Sequence, residues 1–439
     1  MKGHVKLVAA FVLLTLTISS AFAGNAGASQ EQTAKPLRWR GGPIQIAVST
    51  SLTKQNPNIK YDSDVAGAVR RSMQTWQRYI DIELVETSSE KQSISPAGVR
   101  GDGVSLITIA PTAENVLFFS NGMEESAAAT RVFYDKRGFI TEADIALNPF
   151  QGQQFSTDGT MGTFDLESTL THEIGHLLGL DHSDVLGATM HEKYGKNGAY
   201  GLTSYSARTL SQDDITSLQR LYGAKSDADC CVKLAGKLGA ADGTQRAWQV
   251  WAEDAQSGRV RAMAVADKEG NFSFEGLSNG NVLLFAQDRN GEVAAKGELG
   301  TVTTSNSEPV SISKSIKTSK GNLKLEYLGF NGQLSDIAVS LNPGKIYTLY
   351  LGGAGLTAQG VVAGFTSPYL SVLPGTARAQ DFGSEISVIS VDVRVDPRTP
   401  QGDYTVYVAG EDGLKRYIVG GITVESFLNP HARASLSVD

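Results

Sequence analysis

Helical periodicity stops near Ala224 and does not return, and this break limits the chain to a mixed unit followed by β modules. Upstream, Val65, Val69, Met73, Trp76 and Ile80 form one apolar stripe at helical spacing. A second amphipathic helix is predicted from Asp165 to Leu178, with Leu166, Leu170, Ile174 and Leu177 on one side. A third runs from Ser211 to Tyr222, opened by a capping-box-like Ser211 and Asp214 and stopped by Gly223. Strands are predicted over Leu37 to Ser49, Ile82 to Val85 and Val104 to Ile109, with a hairpin joining Arg131 to Tyr134 and Phe139 to Leu147. Downstream, short alternating segments are separated by Asp242-Gly243, Ser257-Gly258, Asn279-Gly280 and Asn290-Gly291, the spacing of a β-sandwich. With 47 glycines and only 19% charged residues, the composition also favours turn-rich β structure. The expectation is an α+β domain over 37–224 and two all-β sandwiches over 230–313 and 323–426, with a Ser/Lys/Thr linker from Ser313 to Asn322.

Residues 1–23 have the build of a secretory signal: Lys2 and Lys6, an apolar run from Leu7 to Ile18, and Ala21-Phe22-Ala23 at the cleavage point. That run is shorter than the ~20 residues a bilayer span needs, so a secreted or periplasmic chain without a membrane span is expected. A polar spacer over 24–36 follows, and 427–439 reads as a frayed tail without a wall-anchoring signal. Loss of Lys2 and Lys6 takes the formal charge from −7 by two to −9, which argues against nucleic acid as a partner. A monomer is expected. Cys230 and Cys231 are the only cysteines and are adjacent, so neither a disulfide framework nor a thiolate zinc site is available. A bridge between them, a bridge to another chain, or free thiols all remain open.

Four of the six histidines, His172, His176, His182 and His191, fall within twenty residues. His172 and His176 are four apart and share one helix face, opposite the Leu170/Ile174 stripe, so the helix can bury one side and hold two imidazoles in a cleft. Gly179 permits a sharp exit that brings His182 back as a third nitrogen ligand, leaving the fourth tetrahedral position to water. Three nitrogen ligands and an open position define a catalytic zinc site, and Glu173 is placed as general base.

His172 to His182, with Ser183 after the third histidine and Gly187-Ala188-Thr189-Met190 beyond it, resembles the metzincin zinc peptidases of the matrixin type. The run Leu210 to Gly223 is similar to the matrixin C-terminal helix, and Trp76 fits the family's first helix. The resemblance covers about Arg38 to Gly223. It implies a zincin fold with a twisted five-stranded sheet and an active-site helix, Met190 as a structural floor beneath one zinc ion, and cleavage of extended protein or peptide chains along a sheet edge. With Ala247 to Trp251, Asp267 to Phe274 and Gly276 to Gly280, residues 230–313 resemble carboxypeptidase-regulatory sandwiches; with Leu341 to Lys345, Leu351 to Leu356 and Pro400 to Val406, residues 323–426 resemble immunoglobulin-like domains. These modules leave protein or polysaccharide ligands open.

Several features depart from the family. No histidine lies between His4 and His172, so a second, structural zinc is not expected. Calcium is open at Asp135, Asp144 or Asp158. No cysteine precedes Leu37 for a thiol latch on zinc, and Cys230 or Cys231 folding back is the remaining substitute. His191 to Tyr194 replaces the family's Tyr-Pro, so His191 or Tyr194 is expected to line the pocket beside the cut. Trp248 and Trp251 read as core residues or as an aromatic binding platform. The rival functions are an adhesion or glycan-binding protein with a vestigial zinc domain, and a zinc hydrolase acting on something other than protein.

Overall fold

A computed structural model describes residues 36–425 apart from 99, 121, 151, 153, 226–229, 306–309 and 384. The expected signal segment, most of the polar spacer and the tail lie outside the described residues. Five strands form the N-terminal sheet: β1 (Ile44–Ser49), β2 (Leu84–Ser89), β3 (Ser105–Thr108), β4 (Ala128–Tyr134) and β5 (Ile140–Leu147), in the order β2-β1-β3-β5-β4. All neighbours are parallel except β4, which pairs antiparallel with β5 and leaves its other edge free within the sheet. The first strand begins at Ile44 and not at Leu37, because Gly41 and Gly42 take φ of 104° and 84° and break the extended backbone.

The helices are α1 (Thr50–Thr53), α2 (Val65–Gln77), α3 (Ala113–Phe119), α4 (Leu166–Leu177) and α5 (Gln212–Tyr222). In α2 the predicted stripe points inward, with Val69, Met73 and Trp76 buried. The Trp76 indole donates to Thr171 O at 2.8 Å, so burying this large ring also fixes α2 against α4. At the other end of α4, Trp39 Nε1 donates to Leu177 O at 2.8 Å and Tyr222 Oη to Leu178 O at 2.5 Å, satisfying carbonyls that a helix end leaves open. Helix α3 was not visible in the sequence. It is only seven residues long, too short to establish a period.

Two β-sandwich modules follow. The first packs a four-stranded sheet containing Trp248–Asp254 and Gly280–Asp288 against a three-stranded sheet centred on Val232–Ala240. The second packs a sheet centred on Lys415–Val424 against one centred on Ser387–Val395. The stretch from Ser313 to Asn322 is not a linker: Val310–Ile316 completes the first module, and Thr318–Lys320 pairs with Val293–Ala295 at the edge of the second module's sheet. Its polar residues face outward along these edges, which is why composition alone read as linker.

Trp248 and Trp251 are 1% and 0% exposed, so neither offers a binding platform. Trp251 instead stacks on Phe285 with ring centroids 5.3 Å apart and belongs to a cluster shared by all three units. Val185 and Ala188 enter it from the N-terminal domain, and Tyr417 and Val419 from the last module. Replacing Trp251 by Ala is expected to cost about 3–5 kcal/mol of stability. Denaturant unfolding followed separately by catalytic-domain and C-terminal probes should show both transitions moved, because the cavity opens between the units.

Candidate metal centre and its supports

Asp165 caps α4, its carboxylate accepting from Ser168 N at 2.9 Å, while Arg208 pairs with the same group at 2.6 Å. Leu166, Leu170, Ile174 and Leu177 are fully buried along one side of the helix. Its exit is a left-handed glycine cap: Gly179 has φ of 94°, its N–H bonds to His176 O, and the Leu180 N–H bonds to Gly175 O. A side chain at Gly179 would collide with Leu37 O, so glycine is required by both conformation and space.

This turn brings His182 to the other two histidines. His176 Nε2 lies 3.1 Å from His172 Nε2 and 3.2 Å from His182 Nε2. Tetrahedral zinc with bonds of about 2.0–2.1 Å places its nitrogen ligands roughly 3.3 Å apart, so the three fit one ion. Among the described residues they are the one group of three or more His, Cys, Asp or Glu whose ligand atoms gather within 4.8 Å. His172 Nδ1 lies 2.7 Å from Thr189 O and His176 Nδ1 2.8 Å from Leu180 O. A carbonyl only accepts, so each Nδ1 carries the proton and each Nε2 lone pair faces the shared point. Burial pushes all three imidazoles below their ordinary range, which keeps them neutral.

Glu173 is 2% exposed, and its Oε2 accepts from Thr130 Oγ1 on β4 at 2.6 Å. Burial pushes its carboxyl up to about 7. Thr130 went unnoticed in the sequence, since nothing distinguishes it from any other threonine on an alternating strand. Met190 is buried below the helix, where a side chain on Gly175 would overlap its Sδ. Asp214 does more than cap α5: besides accepting from Ser211 N, its carboxylate accepts from Thr189 N at 2.9 Å and Met190 N at 3.1 Å.

Of the two expected pocket residues, Tyr194 stands with its ring 5.4 Å from that of His172 and edge-on to Phe164. His191 goes elsewhere: its Nδ1 donates to Ser183 O at 3.0 Å and closes the neck of the Ser183–Met190 loop, together with the Ser183 N–H to Met190 O bond. The three aspartates considered for calcium are not brought together. Asp135 pairs with Arg40, Asp144 accepts from Ser95 N and Leu106 N, and Asp158 pairs with Lys60. Cys230 and Cys231 are joined to each other beside Gln219, so the thiol latch on zinc is overturned.

Residues 39–223 match the family model described as Matrixin, so this part of the chain is a matrixin domain. Curated relatives agree. Metalloendoproteinase 1 of Glycine max is 27% identical over 202 residues, which are 42% of this chain and 53% of that protein. Matrilysin of Homo sapiens is 38% identical over 72 residues, 16% of this chain and 25% of that protein. Stromelysin-2 of Rattus norvegicus is 26% identical over 195 residues, 44% of this chain and 35% of that protein. The chain thus spans about half or less of these relatives' lengths.

Asp213, beside Asp214, accepts from Ser183 Oγ at 2.6 Å and from Met263 N of the first sandwich at 2.6 Å. Burial pushes its carboxyl up to about 7, and neighbouring Asp214 and Asp184 push the same way. A raised carboxyl favours the protonated form in the folded state, so its contribution is complete below the unfolded value near 4 and is lost as pH rises through about 7. Denaturant titrations of chelator-treated protein from about pH 5 to about pH 8 should show the wild type losing stability relative to Asp213→Asn.

Proposed function

We propose that the chain is exported and acts as a zinc-dependent endopeptidase. The observation that carries this reading is the convergence of the His172, His176 and His182 ligand nitrogens on one point, with Glu173 buried next to His172 on the same helix. Zinc, when bound, supplies a Lewis acid that polarises a carbonyl and lowers the pKa of water. Glu173 Oε2 takes the proton from the attacking water and delivers it to the departing amine, so no serine or cysteine nucleophile is needed. The Thr130 hydroxyl, donating to that oxygen, fixes the carboxylate's rotamer. Met190 supports the helix from beneath.

The edge strand β4 supports an extended peptide as substrate. It lies at the end of the sheet and carries Thr130, so a chain pairing with its open edge would run past Glu173. Tyr194, beside His172 and Phe164, is the side chain we assign to the specificity pocket. Export is supported by the apolar run from Leu7 to Ile18 and the small residues around Phe22. No helix among the described residues is long and apolar enough to cross a membrane.

The test is cleavage of an unfolded protein by the purified full chain, with and without a zinc chelator. Glu173→Ala is expected to keep its zinc and lose about 10²- to 10⁴-fold in kcat. Chelator-insensitive cleavage, or a Glu173→Ala chain as active as wild type, contradicts the mechanism. A zinc-loaded wild type that cuts no polypeptide contradicts the endopeptidase reading.

A further inference from the structure

The Ser183–Met190 loop serves the metal centre at both ends. His182 immediately precedes it, and Thr189 O near its end accepts the His172 Nδ1 proton. Both sandwiches grip the span between. From the first module, Arg289 pairs with Asp184 at 3.2 Å, and Trp251 contributes to the cluster that buries Val185 and Ala188. From the second, Val419 O accepts the Leu186 N–H at 2.9 Å. Contact there is close enough that a side chain at Gly187 would overlap Asp403 Oδ1 and Thr423 Oγ1, and one at Gly420 would overlap Val185.

The chain beyond Met190 is anchored in the same way. Tyr200 is 2% exposed in the core of the last module and holds φ of 56°, a left-handed conformation uncommon outside glycine. Its hydroxyl lies 3.0 Å from both Leu328 O and Ile337 O, its N–H donates to Gln333 Oε1 at 2.6 Å, and its carbonyl accepts from Asn331 Nδ2 at 2.8 Å. Lys193 pairs with Asp336 at 2.6 Å. The segment that carries Tyr194 past His172 is thereby held at both ends by the last module.

We propose that the two sandwiches are structural parts of the metal centre, with Gly187 and Tyr200 as positioning residues through which the last module sets zinc affinity. The proposal rests on the zinc-site reading of the three histidines. Fixing the loop fixes the Thr189 carbonyl and the approach of His182, the same kind of outer-shell support that tunes ligands elsewhere. Free in solution, a loop of this length would have to be ordered at the moment of metal binding, and its backbone entropy would be subtracted from affinity.

The test uses the full chain. Gly187→Ala is expected to weaken zinc binding at least about tenfold in competition with a chromophoric chelator. In zinc-free protein it should also speed hydrogen exchange at the amides of Val185 to Met190. Gly187→Ala combined with Asp403→Ala opens the space and frees Thr423, whose hydroxyl lies 2.8 Å from Asp403 Oδ1, and should bring affinity back toward wild type. Should Gly187→Ala fail to unfold cooperatively, Tyr200→Phe is the second variant, expected to weaken zinc severalfold and loosen the segment from Lys193 to Tyr200. Wild-type zinc affinity and exchange in a folded Gly187→Ala chain, or in folded Tyr200→Phe where the first does not fold, overturns the proposal. Failure of the wild type itself to bind zinc overturns the underlying zinc reading instead, and that result is read before any variant.

Discussion

Two hydrogen bonds from imidazole Nδ1 atoms to backbone carbonyls govern the site. Without them His172 and His176 could rotate or exchange tautomers, and their Nε2 lone pairs would not meet. The carbonyls come from quite different structures. Leu180 O is delivered by the left-handed cap of α4, a local device encoded by Gly179. Thr189 O comes from the far end of a loop that closes on itself through Ser183, Met190 and His191. The first support is built within the single turn from Gly175 to Leu180, while the second needs the loop, α5 and both sandwiches.

That dependence changes how the C-terminal part is understood. Each sandwich buries an apolar core of its own, but a separate cluster belongs to none of the three units alone. Val185 and Ala188 pack into the cluster that holds Trp251 and Tyr417, and Tyr200 sits in the last module like one of its own core residues. Buried acids mark the same junction: Asp213 and Asp403 are both pushed up to about 7 by loss of solvent, with nearby carboxylates adding to the effect. Their side chains still find hydroxyl or amide donors, so polar groups at the junction are engaged despite the burial.

Local signals in the sequence were faithful where the structure is local. The four-residue spacing of His172 and His176, the glycine exit to His182, the capping box at Ser211 and the stripe through Trp76 all follow from helix geometry, and all are present. Contacts set by the meeting of distant segments left no such trace. Thr130 looks like any strand threonine until β4 lies beside α4, and Gly187 looks like a flexible loop residue until Asp403 is packed against it. The polar run from Ser313 to Asn322 has the composition of a linker but forms edge strands, whose exposed residues share that composition. Asp214 was legible as a cap but not as the acceptor for two amides around Met190, since that role depends on where the loop returns.

The proposed activity requires three histidine nitrogens sharing one zinc ion with a position left open. X-ray absorption at the zinc edge on the zinc-loaded full chain tests this directly. Three imidazole nitrogens and one further light atom at about 2.0–2.1 Å are predicted, whereas a sulfur shell near about 2.3 Å or a shell made wholly of oxygen would contradict it.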